Sequence, residues 1–267
     1  MMKIQRLGFF MVLGLVSSLA FTAFGATYSP VQSAYRPMGW PIYDKVQTAN
    51  CDALAKDFES HRATFLQMVT RSLTEGMRYV SASQSKLDPQ RLYFFSDYAP
   101  RIYFFMDGGW YTSALGATIG NAILPNGQAP SGTNYLVFPT TNSCYSNNCT
   151  TKQTNGKRTT AVPLLSGDFV QLPTVKAGQQ LALVFMPNLN SSGSTPQYTY
   201  YNDPNANPDG VQHAVAFFPD NSQYMIVSFE DTYQGGDGDF NDVVIVIDVG
   251  PANAKVFRDA NSGNLPK

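Results

Sequence analysis

The sequence predicts an all-β protein, an antiparallel, jelly-roll-like β-sandwich with a short N-terminal helical extension. Three observations carry that expectation. Short β-branched and aromatic runs recur from residue 92 onward, punctuated by Gly, Pro, Asn, Asp and Ser. Two of them, 224–229 (Tyr-Met-Ile-Val-Ser-Phe) and 243–247 (Val-Val-Ile-Val-Ile), are too short and β-branched for typical helices and flank one acidic loop. Ahead of the strands, one stretch repeats apolar residues at helical spacing.

In chain order, Lys3 and Arg6 precede an apolar run from Leu7 to about Ala23, and Ala23-Phe24-Gly25 puts small residues where a signal peptidase reads. Residues 1–25 are therefore expected to be removed on export, leaving a secreted or periplasmic chain. No later run approaches the roughly 20 apolar residues needed to span a bilayer, so no membrane span is expected after cleavage. Residues 26–90 read as an extended, Pro- and Tyr-rich lead-in followed by a helix. Asn50 is its expected cap, Leu54, Phe58, Phe65, Val69, Leu73 and Met77 its apolar face, and Gly76 lies near its end. The sandwich is expected over 91–250, with strands at 92–95, 101–106, 135–138, 169–172, 180–185, 214–218, 224–229 and 243–249, and further ones near 110–119 and 159–165. Residues 251–267 are expected to be a polar tail. Cys144 and Cys149 enclose Tyr-Ser-Asn-Asn and are expected to clip a surface loop as a disulfide in an oxidising compartment. Zinc finds no nearby His or second Cys pair, and Cys51 is left over, expected as a buried thiol in the helix.

The charge pattern points to a cation. The formal net charge is −1, so the basic face that nucleic-acid binding requires is missing, and no nucleic-acid partner is expected. Between Lys176 and Lys255 there is no Lys or Arg, yet nine of the 19 acidic residues fall there. Carboxylates without a basic partner repel one another, take up protons or bind a cation. The densest group, Glu230, Asp231, Asp237, Asp239, Asn241 and Asp242, occupies a loop broken by Gly235, Gly236 and Gly238, between the two most apolar strands. Calcium takes six to eight oxygen ligands from carboxylates, amides and carbonyls, with glycine letting the chain wrap, so Ca2+ is the expected cofactor. A second oxygen-rich loop, Asp203, Asn205, Asn207 and Asp209, either holds another ion, completes the first site or forms a Pro/Asn/Gly turn. An EF-hand fits poorly, because Asp242 stands at the turn-glycine position and a strand follows. A calcium β-roll also fails, because the Gly-Gly-Asp-Gly unit occurs once and Phe240 takes the place of its Asp.

Enzyme chemistry finds little support. His61 and His213 are the only imidazoles, and no Gly-x-Ser-x-Gly elbow, His-Glu-x-x-His motif, P-loop or dinucleotide fingerprint accompanies them. The expected function is a non-enzymatic calcium-binding module with a cell-surface, matrix or glycan-binding role. The rival is a glycan-processing enzyme working through a carboxylate pair. Tyr198, Tyr200 and Tyr201 stand just before the second acidic loop, and their flat faces are the expected platform for a glycan or other cell-surface polymer, unless they simply alternate between core and surface.

The run Phe229-Glu230-Asp231 followed by Gly235-Gly236-Asp237-Gly238-Asp239-Phe240-Asn241-Asp242-Val243-Val244 resembles the closing motif of the bacterial family catalogued as domain of unknown function 4114. Asn205 to Gly210 with His213, Leu165-Ser166-Gly167-Asp168 with Ala177-Gly178, and Gly109-Trp110-Tyr111 with Leu115-Gly116 extend the resemblance over roughly residues 92–250. It implies an exported β-sandwich, in relatives often part of larger surface or matrix proteins, with inferred calcium binding and no assigned activity.

Overall fold

The structure, a computed structural model, describes residues 32–49, 51–79, 86–87, 92–121, 132–142 and 163–261. These hold ten strands: β1 (Lys86–Leu87), β2 (Arg101–Asp107), β3 (Ala114–Asn121), β4 (Thr133–Phe138), β5 (Phe169–Gln171), β6 (Gln179–Met186), β7 (Tyr200–Tyr201), β8 (Ala214–Phe217), β9 (Tyr224–Phe229) and β10 (Val243–Asp248). They form a six-stranded sheet, ordered β1-β8-β9-β10-β2-β5, and a four-stranded sheet, ordered β4-β3-β6-β7, with every strand pair antiparallel. The expected sandwich is present.

Side-chain parity explains the layers. In β10, Val243, Ile245 and Ile247 face the four-stranded sheet, meeting Leu181, Leu183 and Phe185 of β6 in the main core. Val244 and Val246 point the other way, into a second cluster with Phe58, Phe65 and Val69. Those three come from helix α1 (Ala53–Ser72), which covers the outer face of the six-stranded sheet. A sheet buried on both faces requires apolar residues at successive positions, which is why β9 and β10 read as unbroken hydrophobic runs. The lead-in segment does the same for the other sheet, placing Tyr35, Trp40 and Ile42 over Leu136, Val184 and Met186.

Helix α1 begins where Asp52 accepts a hydrogen bond from the Ala55 amide at 2.9 Å, and Arg101 of β2 grips the same carboxylate with two bonds of 2.8 Å. The Arg101 contact holds the Asp52 carboxyl down at about 2. The expected cap Asn50 lies outside the described residues. Phe58, Phe65, Val69 and Leu73 are buried as expected, whereas Leu54 and Met77 are exposed and Ala55 takes the inward place at the helix start. Met77 follows Gly76, whose left-handed φ of 66° turns the chain away.

Other expectations shift. Residues 92–95 give only an isolated bridge between Tyr93 and Gln180, while β2, β4, β5, β6, β8, β9 and β10 lie where strands were expected. The expected polar tail opens with helix α2 (Pro251–Asn261), whose Ala254 and Phe257 enter the main core and whose Asn253 accepts hydrogen bonds from the Phe95 and Ser96 amides at 2.8 and 3.0 Å. Cys51 is exposed in the bend before α1, because the helix buries its inward face only from Ala55. Cys144, Cys149 and the signal segment lie outside the described residues. Among the described residues, no helix is long and apolar enough to cross a membrane.

Phe58 is fully buried and stacks on Tyr103 with ring centroids 4.0 Å apart and planes 3° from parallel. Phe58→Ala should therefore destabilise the whole domain by about 3–5 kcal/mol in urea unfolding. An unchanged unfolding midpoint would make α1 an appendage and not a layer of the fold.

Candidate functional site

Strand ends at one end of the six-stranded sheet create the site. Phe229 pairs with both Val243 and Ala214, and Val243 also pairs with Asp107, so the ends of β2 and β9 and the starts of β8 and β10 converge. The acidic loop 230–242 closes the β9–β10 connection there. Its path uses left-handed backbone at Gly235, Gly238 and also at Gln234 and Phe240, where φ is 63° and 57°. Each non-glycine in that region costs about 1 kcal/mol, so other interactions must hold the loop in shape. Gly236 adopts φ 41°, ψ −129°, and a side chain there would collide with the Glu230 carboxylate.

The loop's carboxylates separate into two groups. In the inner one, oxygens of Glu230, Asp231 and Asp242 all lie within 4.8 Å of one another. With calcium–oxygen distances near 2.4 Å, opposite ligands stand about 5 Å apart, so a single ion reaches all three. Glu230 and Asp231 are only 2 % and 5 % exposed. The Asp231 amide donates to Asp242 Oδ2 at 2.7 Å and the Thr232 hydroxyl to Asp231 Oδ1 at 3.1 Å. Glu230 Oε2 is buried and accepts no hydrogen bond. Among the described residues, no Lys or Arg forms an ion pair with any of the three.

The electrostatics follow from that geometry. Burial, then the charges of Asp231 and Glu230, push the Asp242 carboxyl up to about 9. Burial, then Asp237 and Asp231, raise Glu230 to about 7. Burial also raises Asp231, against the hydrogen bonds from Thr232, Asp242 and the Tyr111 amide. Elsewhere the protein buries carboxylates at lower cost. Asp248 accepts from the Tyr98 hydroxyl at 2.9 Å, from Gln223 at 3.3 Å and from the Gly250 amide at 2.9 Å, so both its oxygens are satisfied. The inner group lacks such donors, and a divalent cation fits its chemistry.

The floor of the inner group is backbone. The amides of Gly108 and Gly109, just past β2, donate to the Asp242 carbonyl at 2.8 and 3.1 Å. A Cβ on Gly109 would stand 2.6 Å from Asp231 Oδ2, so only glycine allows this approach.

The outer group joins Asp237 and Asp239 with Glu75, which lies just beyond α1. Asp239 Oδ2 accepts from the Gly76 amide at 2.7 Å and from Asn241 Nδ2 at 2.8 Å, and Asn241 Nδ2 also donates to Glu75 Oε2 at 3.1 Å. The Tyr79 amide donates to the Gly238 carbonyl at 2.7 Å. The end of α1 is thus tied to the acidic loop. Burial and the charges of Asp237 and Glu75 raise the Asp239 carboxyl.

The structure brings together only part of what the sequence singled out. Asn241 turns its amide nitrogen toward the outer carboxylates. Asp203 spends Oδ1 on Asn205, through its amide at 2.9 Å and its side chain at 3.0 Å. Asn207 Oδ1 accepts from the Tyr201 amide at 2.6 Å, and its side-chain nitrogen donates to the Val211 carbonyl at 2.8 Å. Asp209 accepts from His213 Nε2 at 2.8 Å, the Gln234 amide at 2.9 Å and the Val211 amide at 3.1 Å. None of these four residues joins either carboxylate group, and the second loop acts as a turn that buttresses the first. His213 links them, since its Nδ1 bonds the Glu230 carbonyl at 2.9 Å. The tyrosine platform also needs correction. Tyr200 is fully buried, stacked on His213 at 3.5 Å, and Tyr201 packs against the lead-in cluster. Tyr198 is half-buried against Tyr233 at 4.9 Å.

Glu75 and the Gly108–Gly109 floor were not anticipated. A Gly-Gly pair after a strand signals close backbone approach. Glu75 carries no signal in one dimension, being 166 residues from its partner Asn241.

Residues 175–250 match the model of a family described as Domain of unknown function (DUF4114). The match covers β6 to β10 and both acidic loops, a shorter stretch than the motifs from residue 92 onward had suggested. Nothing matches among the curated proteins or the solved structures.

In cation-free protein the raised pKa values make stability pH-dependent. A carboxyl raised above its unfolded value contributes stability that is fully present below about pH 4 and is lost as pH rises through the folded value. For Glu230 and Asp242 the loss runs through about 7 and about 9. Thermal unfolding in chelator should show the melting temperature falling between pH 6 and 9, and saturating calcium should flatten that decline. The same slope with and without calcium would contradict the inner group as the origin.

Proposed function

We propose that this chain, whose residues 175–250 carry a domain of unknown function 4114, is an exported, non-enzymatic calcium-binding module. The single observation that supports the reading best is Glu230: a buried carboxylate with an orphaned oxygen, aimed into a group with Asp231 and Asp242 that no basic side chain neutralises. Glu230, Asp231 and Asp242 would each supply an oxygen, and calcium would supply the charge that lets all three ionise. The export reading rests on the N-terminal sequence, and a cell-surface, matrix or glycan-binding role fits a stiff sandwich with its site at one end. The rival reading, a glycan-processing enzyme, draws on the raised Glu230 carboxyl, a property suited to a general acid. It is less well supported, because burial of Glu230 and Asp231 leaves no space between the carboxylates for a glycosidic bond.

Calorimetric titration of calcium into the chelator-treated chain tests the reading. At a thousandfold excess over the dissociation constant, linkage contributes about 4 kcal/mol, a rise in melting temperature of roughly 10 °C. Glu230→Gln should abolish that rise and, by removing repulsion, leave the chelated protein no less stable than the parent. Asp203→Asn should keep the calcium response. A parent protein whose melting temperature ignores calcium would remove the metal from this function.

A further inference from the structure

We propose that Trp110 and Tyr111 form the stacking face of a binding surface for neutral, hydroxyl-rich sugars, held in position by the cation at Glu230, Asp231 and Asp242. The proposal rests on the calcium reading and adds the ligand class and the residues that meet it.

Trp110 is 81 % exposed. The chain has two tryptophans, and the other, Trp40, packs closely on Gly116 in the lead-in cluster. An indole left in water beside a 38 % exposed tyrosine is a surface that folding does not require. Its place is set by the site. Trp110 follows Gly108 and Gly109, whose amides hold the Asp242 carbonyl, and Gly109 lies directly against the Asp231 and Asp242 carboxylates. The Tyr111 amide lowers the Asp231 carboxyl by hydrogen bonding to it. The segment carrying both rings is thus fastened at either end to two carboxylates that repel each other until a cation joins them. Cation binding fixes those carboxylates and with them the rings.

Charge selects the occupant. No Lys or Arg occurs between residues 176 and 255, and Asp237 and Glu75 are exposed on the same loop system, so a polyanion meets repulsion. A neutral sugar places its C–H face on the indole and donates its hydroxyls to carboxylate oxygens, and it needs no basic partner. Tyr233, 42 % exposed and two residues after Asp231, gives a second aromatic edge on the acidic loop.

The test uses the full-length chain, with cellohexaose, laminarihexaose, mannohexaose and chitohexaose as neutral probes and heparin as the polyanion. Binding is read from tryptophan emission and calorimetry, in calcium and in chelator, after the calcium titration itself. At least one neutral hexasaccharide should bind in calcium and be lost in chelator. Trp110→Ala should weaken that binding roughly tenfold, and Trp110→Phe less, with calcium stoichiometry and melting temperature unchanged. If calcium binds but no neutral sugar does, if only heparin binds, or if Trp110→Ala leaves affinity within about twofold, the sugar surface is overturned while the calcium site stands. If sugar binds equally well in chelator, the cation has no part in holding the surface, and an absent calcium titration would then locate the failure in the metal reading.

Discussion

Three carboxylates buried at one point without a base are the constraint around which this end of the molecule is built. A lone buried carboxylate can be made tolerable by neutral donors, as Asp248 shows with Tyr98, Gln223 and the Gly250 amide. Glu230, Asp231 and Asp242 cannot be treated that way, because they stand within 4.8 Å of one another and each charge penalises the next. Either protons or a cation must enter. The local chain is shaped for close approach to those oxygens: Gly109 and Gly236 stand where any side chain would strike Asp231 or Glu230, and Gln234 and Phe240 accept left-handed backbone to complete the wrap.

That strained loop is held from three sides. Behind it, Asp209 accepts from the Gln234 amide while His213 bridges Asp209 to the Glu230 carbonyl, and Tyr200 lies flat on the imidazole. Beneath it, Ser228 of β9 donates its hydroxyl to the Phe240 carbonyl. On its outer side, Gly76 and Tyr79 donate amides to Asp239 and Gly238, so α1 reaches the loop as well as the sheet. The second acidic loop, read from composition as a possible ligand set, proves to be a support. Its oxygens are already engaged in turns and in holding the first loop.

How much of this the sequence exposes depends on the range of each signal. β9 and β10 were readable to the residue or nearly so, because a sheet covered on both faces demands unbroken β-branched and aromatic runs. Helix α1 was readable from Phe58, Phe65, Val69 and Leu73, but Leu54 was misplaced because periodicity alone cannot say which of two adjacent residues, Leu54 or Ala55, turns inward. Helix α2 was missed because only Ala254 and Phe257 of its first turns are apolar and buried, too sparse a pattern to stand out beside Asn253 and Lys255. In the site, the local members Glu230, Asp231 and Asp242 were legible as an oxygen-rich loop. Their division from Asp237 and Asp239 was not, since it is set by which way each residue of a left-handed turn points. Tyr200 illustrates the same limit: an aromatic triplet reads as a platform, yet its central ring fills the core.

The position of the site follows from the layering. With α1 over one sheet and the lead-in over the other, neither broad face of the sandwich is free to meet a ligand. Recognition must then use the loops at the strand ends, and the register decides which. Asp107, Ala214, Phe229 and Val243 lie side by side across four neighbouring strands, so whatever follows β2 and β9 shares one end with whatever precedes β8 and β10. Gly108 to Tyr111, residues 230–242 and His213 are those segments. A charge placed there is coupled through short, rigid backbone to every strand of the central sheet, while an exposed ring such as Trp110 costs the core nothing. Carboxylates that need a cation and an aromatic face that needs a partner therefore occupy the one part of the fold where neither disturbs the packing that holds it.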